Sequence, residues 1–354
     1  MTSLEDILKT QITAHGPISV AEYMTTCLFH PEHGYYSTRD PFGSAGDFIT
    51  APEISQMFGE LIGLTLAQTW MDQGSPSKIA LVELGPGRGT LMADILRTAK
   101  AVPAFAKACE IHLVEASAKL REEQAIKLRG AAPIWHDHVD HLPHDLPIYV
   151  IANEFFDALP IRQMIRDGDG WRERQVGIED DALAFGLSEA SPLQALNHRL
   201  DDTKDGDLVE FCAPATAILQ NLATKIETNG GTALIFDYGD WRSLGDTLQA
   251  LSAHEQVSPL HKPGESDLTA HVDFEALVND LPCTHSRLTP QGVFLERLGI
   301  TQRAEALAQN LSAEALETHI AAHRRLTHLD EMGTLFKTIA LFPSSANPPA
   351  GYEV

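Results

Sequence analysis

Cysteine is scarce in this 354-residue chain, and its four copies are scattered. Cys27, Cys109, Cys212 and Cys283 form no C-x-x-C pair, so neither a disulfide framework nor a zinc ribbon is suggested and a reducing compartment is expected. Positive charge is also short: 26 Lys and Arg stand against 49 Asp and Glu, a net charge of −23. That balance disfavours sequence-independent binding to nucleic acid or to an anionic membrane surface and suits a cationic substrate better. No apolar run approaches the ~20 residues a membrane span needs. There is no internal repeat and no low-complexity tract. The opening MTSLEDILKTQI carries Glu5 and Asp6 and lacks the Arg-rich, acid-poor character of a transit peptide. No signal peptide is seen either, and a bacterial cytoplasmic chain, or a mature form, is expected.

What is present centres on Ile79 to Leu96, IALVELGPGRGTLMADIL. An apolar, β-rich run meets glycines at 85, 87 and 89, after which Leu91, Met92, Ile95 and Leu96 recur at helical spacing. A strand, a tight turn and a helix are expected. Glycines let a ligand approach the main chain, and the free N–H groups of a first helical turn point at it. Gly85, Gly87 and Gly89 are therefore candidate binding residues, although such turns also join strands to helices for structural reasons alone. The dinucleotide pattern G-x-G-x-x-G needs its third glycine at position 90, where Thr90 stands, so a dinucleotide fits less well. With Glu83 included, E-L-G-P-G-R-G resembles the first motif of class I S-adenosylmethionine-dependent methyltransferases.

The downstream order extends this reading. A second β-like run, Glu110 to Val114, ends at Glu115, and an acid there can accept two hydrogen bonds from a ribose diol. Stabilising the next helix N-terminus is the alternative role for Glu115. Further strands are expected at 132–136 and 147–154, with a fifth over GTALIFDYG and a sixth and seventh over CTHSRLTP and FKTIALF. Ligands in doubly wound sheets lie at the carboxyl ends of the strands. That rule gathers Gly85 to Gly89, Glu115, Asp137 and Asn153 to Asp157. Ahead of the sheet, Ser3 caps a helix stopped by Gly16, Ser19 and Glu22 form a capping box, and Thr50 with Pro52 opens a helix to about Gln73. Gly59 and Gly63 share a face of that helix and allow close packing. Short β-like pieces between Ile161 and Cys212 look like an inserted lobe.

Five blocks in colinear order, GDFITAPEISQMFGELIG, VELGPGRGTLMADILR, NEFFDALPIRQ, IFDYG and LTAHVDFEAL, resemble the MidA family of S-adenosylmethionine-dependent methyltransferases. This family includes a mitochondrial complex I assembly factor acting as a protein arginine methyltransferase. The resemblance runs from about residue 10 to 342. It implies an α/β, Rossmann-like class I methyltransferase fold: a doubly wound seven-stranded sheet with an N-terminal helical extension and an inserted β-rich lobe. The expected divisions are 1–75 (helical region and cofactor-covering loop), 76–160 (S-adenosylmethionine-binding half), 161–212 (acceptor-side lobe), 213–342 (remainder of the domain) and 343–354 (flexible tail). It also implies an arginine-containing protein acceptor, such as a complex I subunit.

Methyl transfer from a sulfonium is an in-line displacement that needs no metal, so the protein mainly positions donor and acceptor. Carboxylates that clamp an arginine fork bidentately can orient one nitrogen at the methyl group, and Glu154 and Asp157 are the candidates. They resemble the acidic loop of other arginine methyltransferases, but the second acid is Asp and the spacing is shorter. In the alternative, Glu154 serves the cofactor and Asp157 caps a turn. Asn153 is placed at the methionyl moiety or the reacting nitrogen, and Asp137 at the adenine amino group. Asp47 and Thr50 belong to the N-terminal block expected to cover the cofactor. Asp237, Tyr238, His271 and Asp273 are candidates for the acceptor side. His136, His138, His141 and His144 invite a metal reading, which their strand-to-loop placement disfavours. A small-molecule methyltransferase and a non-catalytic, S-adenosylmethionine-binding assembly chaperone are the rival functions.

Overall fold

The structure, a computed structural model, describes residues 3–38, 49–252, 255–309 and 311–354. The chain forms two compact units, each built from three separate segments.

The unit made of Ile49–Phe156, Ala217–Gly239 and Val278–Val354 holds the glycine turn. Its elements are α1 (Ala51–Ile54), α2 (Gln56–Asp72), β1 (Ile79–Leu84), α3 (Thr90–Ala99), β2 (Cys109–Val114), α4 (Ala118–Lys127), β3 (Ile134–His136), β4 (Ile148–Asn153), β5 (Gly231–Asp240) and β6 (Phe336–Phe342). Across the sheet the order is β3-β2-β1-β4-β5-β6, followed by the two-residue strand Thr284–His285. Neighbours from β3 to β5 run parallel and β6 runs antiparallel to β5. The chain lays β2 and β3 on one side of β1 and then returns to place β4 on the other. Strand order therefore reverses between β1 and β4, and a crevice opens at their carboxyl ends in folds of this kind.

Residues of β1 are all buried, as a central parallel strand with both faces covered requires. On one face α2 lies against α3 so closely that a Cβ on Gly59 would stand 2.6 Å from Asp94 Cβ and one on Gly63 would stand 3.2 Å from Ile95 Cα. The two glycines on one face of α2 thus account for the close crossing. Phe58, Phe236 and Phe294 stack edge-on through this core, with ring centroids 5.2 and 5.3 Å apart.

In the other unit (Met1–Phe48, Asp157–Thr216, Asp240–Leu277), helices Leu4–His15 and Val20–Phe29 carry the capping bonds their sequences imply. Ser19 accepts from Glu22 N–H at 3.1 Å, and Glu22 accepts from Ser19 N–H at 2.8 Å. Strands Arg162–Asp167, Gly170–Glu179 and Ala182–Leu187 form an antiparallel meander, extended by Leu208–Phe211 and by Ile18–Ser19. Leu8, Tyr23, Met24, Val176 and Leu268 share its main core.

Several expectations change. The helix expected from Thr50 to Gln73 is two helices, because Ser55 is extended (φ −157°) and caps α2 through Met57 N–H at 3.2 Å. Thr50 makes no side-chain cap bond. The expected sixth strand is two short pieces, Thr284–His285 and Thr289–Pro290, both paired with β6, so the sheet exceeds seven strands. Residues 343–354 are not a loose tail: Tyr352 is 7% exposed, packs on Phe294 with centroids 4.7 Å apart, and shares a 2.5 Å hydrogen bond with Thr338. The expected N-terminal region 1–75 is split between the two units after Phe48.

Candidate functional site

After β1 the backbone enters the left-handed region at Gly85 (φ +60°), Gly87 (φ +52°) and Gly89 (φ +76°), where a side chain adds strain. At Gly85 space is closed as well, since a Cβ would lie 2.8 Å from Phe155 Cδ2. Gly89 is the N-cap of α3 and supplies no side chain to satisfy the helix's first N–H groups. Glu83, 3% exposed, accepts from Met92 N–H in that first turn. Its Oε2 is buried with no hydrogen-bond partner, and burial pushes the carboxyl up to about 8, so it is mostly protonated at neutral pH.

At the end of β2, Glu115 is 9% exposed and gripped on both oxygens. Oε1 accepts from Ser117 N–H at 2.8 Å and Oε2 from Gln124 Nε2 at 3.1 Å. Burial raises its pKa, opposed by these bonds and by Arg121. Both roles weighed for Glu115 are compatible with this geometry: it caps the turn into α4 and retains lone pairs for a diol. Arg121 donates Nε to the Glu115 carbonyl at 2.8 Å and pairs with Asp137 at 2.6 Å, which holds the Asp137 carboxyl below the usual range.

At the end of β4, Asn153 and Glu154 stand at the reversal of strand order. Glu154 has φ +51°, an outlier for a residue with a side chain, of the kind that concentrates at functional sites. Its N–H bonds Phe236 O at 2.9 Å, while its Oε1 accepts from Ala51 N–H at 3.2 Å and Asn153 Nδ2 at 3.1 Å. Asn153 Oδ1 is buried without a partner. Ala51 opens α1, and Glu53 of the same helix accepts from Thr90 at 2.5 Å. The 51–54 segment is therefore tied both to the end of β4 and to the first turn of α3. Asp237, fully buried, accepts from Phe156 N–H at 2.9 Å and Tyr238 N–H at 3.0 Å, bracing the same turn.

The sequence-derived residues thus divide. Glu83, Gly85, Gly87, Gly89, Glu115, Asp137, Asn153 and Glu154 belong to one unit and lie at, or just after, the last residues of β1 to β4; Thr50 precedes α1 in that unit. Asp47 lies outside the described residues. Asp157 belongs to the other unit, so the two candidate catalytic acids fall on either side of the division. Asp157 is 6% exposed, its carbonyl accepts from Ala270 N–H at 3.0 Å, and its charge, with that of Asp267, adds to burial in raising the Tyr36 hydroxyl. His271 and Asp273 also lie in that unit. Asp273 accepts from Ser243 N–H at 3.0 Å and Ala276 N–H at 2.9 Å, a helix-capping arrangement. Among the described residues no cluster of three metal-ligating side chains occurs.

Gln124 and Glu53 were not singled out from sequence. Gln124 had a signal: it falls on the stripe Leu120, Gln124, Leu128, a polar residue at a core spacing, and it is fully buried.

Two histidines form a pair. His112 Nδ1 and His136 Nε2 are 2.9 Å apart with rings stacked at 5.1 Å, so one nitrogen must donate and the other accept. Burial, reinforced by His136, pushes His112 down to about 4. An ordinary histidine titrates near ~6.5, so the unfolded chain binds more protons below that value and stability falls as pH drops from about 6.5 towards 4. For this residue alone the loss is about 2 kcal/mol at pH 5. Urea midpoints of the wild type and His112→Gln at pH 7.5 and pH 5 (two chosen conditions, about one unit above and 1.5 below that value) check this. A smaller acid-induced drop in the variant is expected, and equal drops would refute it.

A sheet whose strand order reverses beside a glycine turn, with a buried acid after the next strand, is the arrangement in which folds of this kind hold a nucleotide-type ligand. The solved structures agree: a protein of Burkholderia thailandensis, bound to S-adenosyl-homocysteine, superimposes with TM-score 0.84 at 27% identity, covering 98% of this chain and 94% of that one. The class is that of S-adenosylmethionine-dependent methyltransferases. The profile of the family described as "Putative S-adenosyl-L-methionine-dependent methyltransferase" matches residues 61–293, and the chain belongs to this family, the MidA family.

Curated relatives extend over nearly the whole chain. "Protein arginine methyltransferase NDUFAF7, mitochondrial" of Xenopus tropicalis is 39% identical over 365 residues, covering 95% of this chain and 84% of the relative. The Homo sapiens protein of that name is 37% identical over 367 residues, covering 95% and 82%. These names overturn the expected bacterial cytoplasmic placement, since the relatives are named mitochondrial. No described helix is long and apolar enough to cross a membrane.

Proposed function

We propose that this methyltransferase modifies an arginine side chain of a protein, with a respiratory complex I subunit as the acceptor to try first. The observation that carries the reading is Glu154: a carboxylate at the carboxyl end of the central strand β4, on a left-handed backbone, beside the partnerless Asn153 Oδ1. The relatives' names as arginine methyltransferases support the acceptor type. So does the net charge of −23, which favours a cationic partner.

The residues present fit S-adenosylmethionine. Glu115 would hold the ribose diol, Asp137 the adenine edge, and Asn153 Oδ1 the α-ammonium. The N–H groups of the Gly85–Gly89 turn would face the polar methionyl part, and Glu83 would act through that turn by fixing the first turn of α3. Thr50 would contribute to the cover. When bound, S-adenosylmethionine supplies a methyl group on an electron-poor sulfonium. Glu154 would orient the guanidinium by charge-assisted hydrogen bonds and stabilise the positive charge left on the nitrogens not attacked; the attacking nitrogen would bond the methyl carbon as the C–S bond breaks, with its proton released to solvent. The expected lobe 161–212 belongs to acceptor recognition. The parallel strands with an antiparallel β6 support a doubly wound, class I reading of the fold.

Label transfer tests the reading. The purified chain is incubated with methyl-labelled S-adenosylmethionine and lysate from cells lacking it, and the label is located by mass spectrometry. Label on protein arginine is expected. Label confined to small molecules would replace the reading with a small-molecule methyltransferase, and measured cofactor binding without transfer would leave an assembly role.

A further inference from the structure

We propose that Gln124 is a positioning residue of the methyl-donor site, tying the glycine turn to the ribose-binding acid so that both face the donor in a fixed relation. The inference rests on Glu115 holding the ribose.

Gln124 has no exposed surface, and each polar atom of its amide is engaged. Nε2 donates to Gly87 O at 2.7 Å and to Glu115 Oε2 at 3.1 Å, and Oε1 accepts from Trp135 Nε1 at 2.8 Å. An indole N–H can only donate, so the amide oxygen must face Trp135 and both hydrogens must face the other way. The side chain thereby links residues that follow β1 and β2 with one inside β3. These three connections recur nowhere in the local sequence and arise only when α4 is laid against the sheet.

Two consequences bear on the donor. A peptide C=O and the following N–H point in opposite directions, so holding Gly87 O towards Gln124 turns the Arg88 N–H to the other side of the turn. At Glu115, a donated hydrogen bond favours the ionised carboxylate, which accepts on both oxygens, over the acid, which does not. Burial works against ionisation there, so loss of the Gln124 bond lets Glu115 take up a proton more readily.

The test uses the full chain with Gln124→Met, which keeps the volume and removes both donors, Gln124→Glu, which keeps the acceptor for Trp135, and Glu115→Gln. Binding of S-adenosylhomocysteine and of its 2′,3′-dideoxy analogue is measured by calorimetry across pH, alongside the unfolding midpoint. Gln124→Met is expected to weaken S-adenosylhomocysteine by about tenfold to a hundredfold, to change the dideoxy analogue far less, and to move the acid limb of binding to higher pH. Gln124→Glu is expected to bind poorly at high pH and to recover part of the loss as the introduced carboxyl takes up a proton; it carries the test should Gln124→Met not fold. Unchanged binding in the Gln124 variants with loss in Glu115→Gln overturns the inference while the ribose assignment stands. Equal loss for both ligands, with the acid limb unmoved, also overturns it and leaves Gln124 structural. Normal binding by Glu115→Gln removes the ribose assignment itself.

Discussion

Gly87→Val is expected to abolish measurable binding of S-adenosylmethionine, a loss of at least roughly 100-fold. Gly87 sits at φ +52°, where a β-branched residue is a steric outlier costing about 1–2 kcal/mol or more, and the backbone can escape only by abandoning the turn. Doing so breaks the bond from Gln124 Nε2 to Gly87 O and swings the next N–H away. A branched side chain also fills the approach that a ligand needs at such a turn. Gly168→Val is the control: it has φ +59° and nothing within 4 Å of a Cβ, in a turn of the other unit, so it bears similar backbone strain outside the Gly85–Gly89 turn. Calorimetric titration of both variants decides the matter. Normal binding by Gly87→Val would remove the donor from this turn.

Glu154→Gln is expected to lower kcat for methyl transfer by about 100- to 1000-fold while S-adenosylmethionine affinity stays within a few-fold. The substitution keeps an oxygen to accept from Ala51 N–H, so the tie to α1 survives, but it removes the charge that would hold a guanidinium. A split in kinetic constants separates the roles: loss of donor affinity with kcat unchanged would make Glu154 a cofactor residue, the alternative its position beside Asn153 also allows.

The parts legible in the sequence were those with local causes. Alternating β-rich runs and glycines at 85, 87 and 89 announced the strand, turn and helix, and Ser19 with Glu22 announced a capping box that the structure contains. Gly59 and Gly63 foretold the close approach of α2 and α3. What stayed hidden depended on partners distant along the chain. Nothing near Ser55 marks its extended backbone, and Glu53, next to that break, bonds Thr90 thirty-seven residues on. Tyr352 looks like the end of a proline-rich tail until Thr338 and Phe294 are placed beside it. The colinear family blocks identified the cofactor class, but they carry no sign that the chain passes between two units at Phe156 and Asp157.

Strand order has a consequence for synthesis of the chain. β4 needs β1 on one side and β5 on the other, and β5 begins at Gly231, 78 residues after β4 ends at Asn153. The Asp157–Thr216 segment emerges in between and belongs to the other unit. A nascent chain therefore holds a complete glycine turn, Glu115 and Asn153 while β4 beneath them is still an open edge, and that edge is covered only once β5, ending at Asp240, has left the ribosome. Such an edge invites pairing with other chains. Translation pauses between residues 154 and 230 would prolong this exposure, so slow codons in that window carry a cost in yield that the finished enzyme's stability does not reveal.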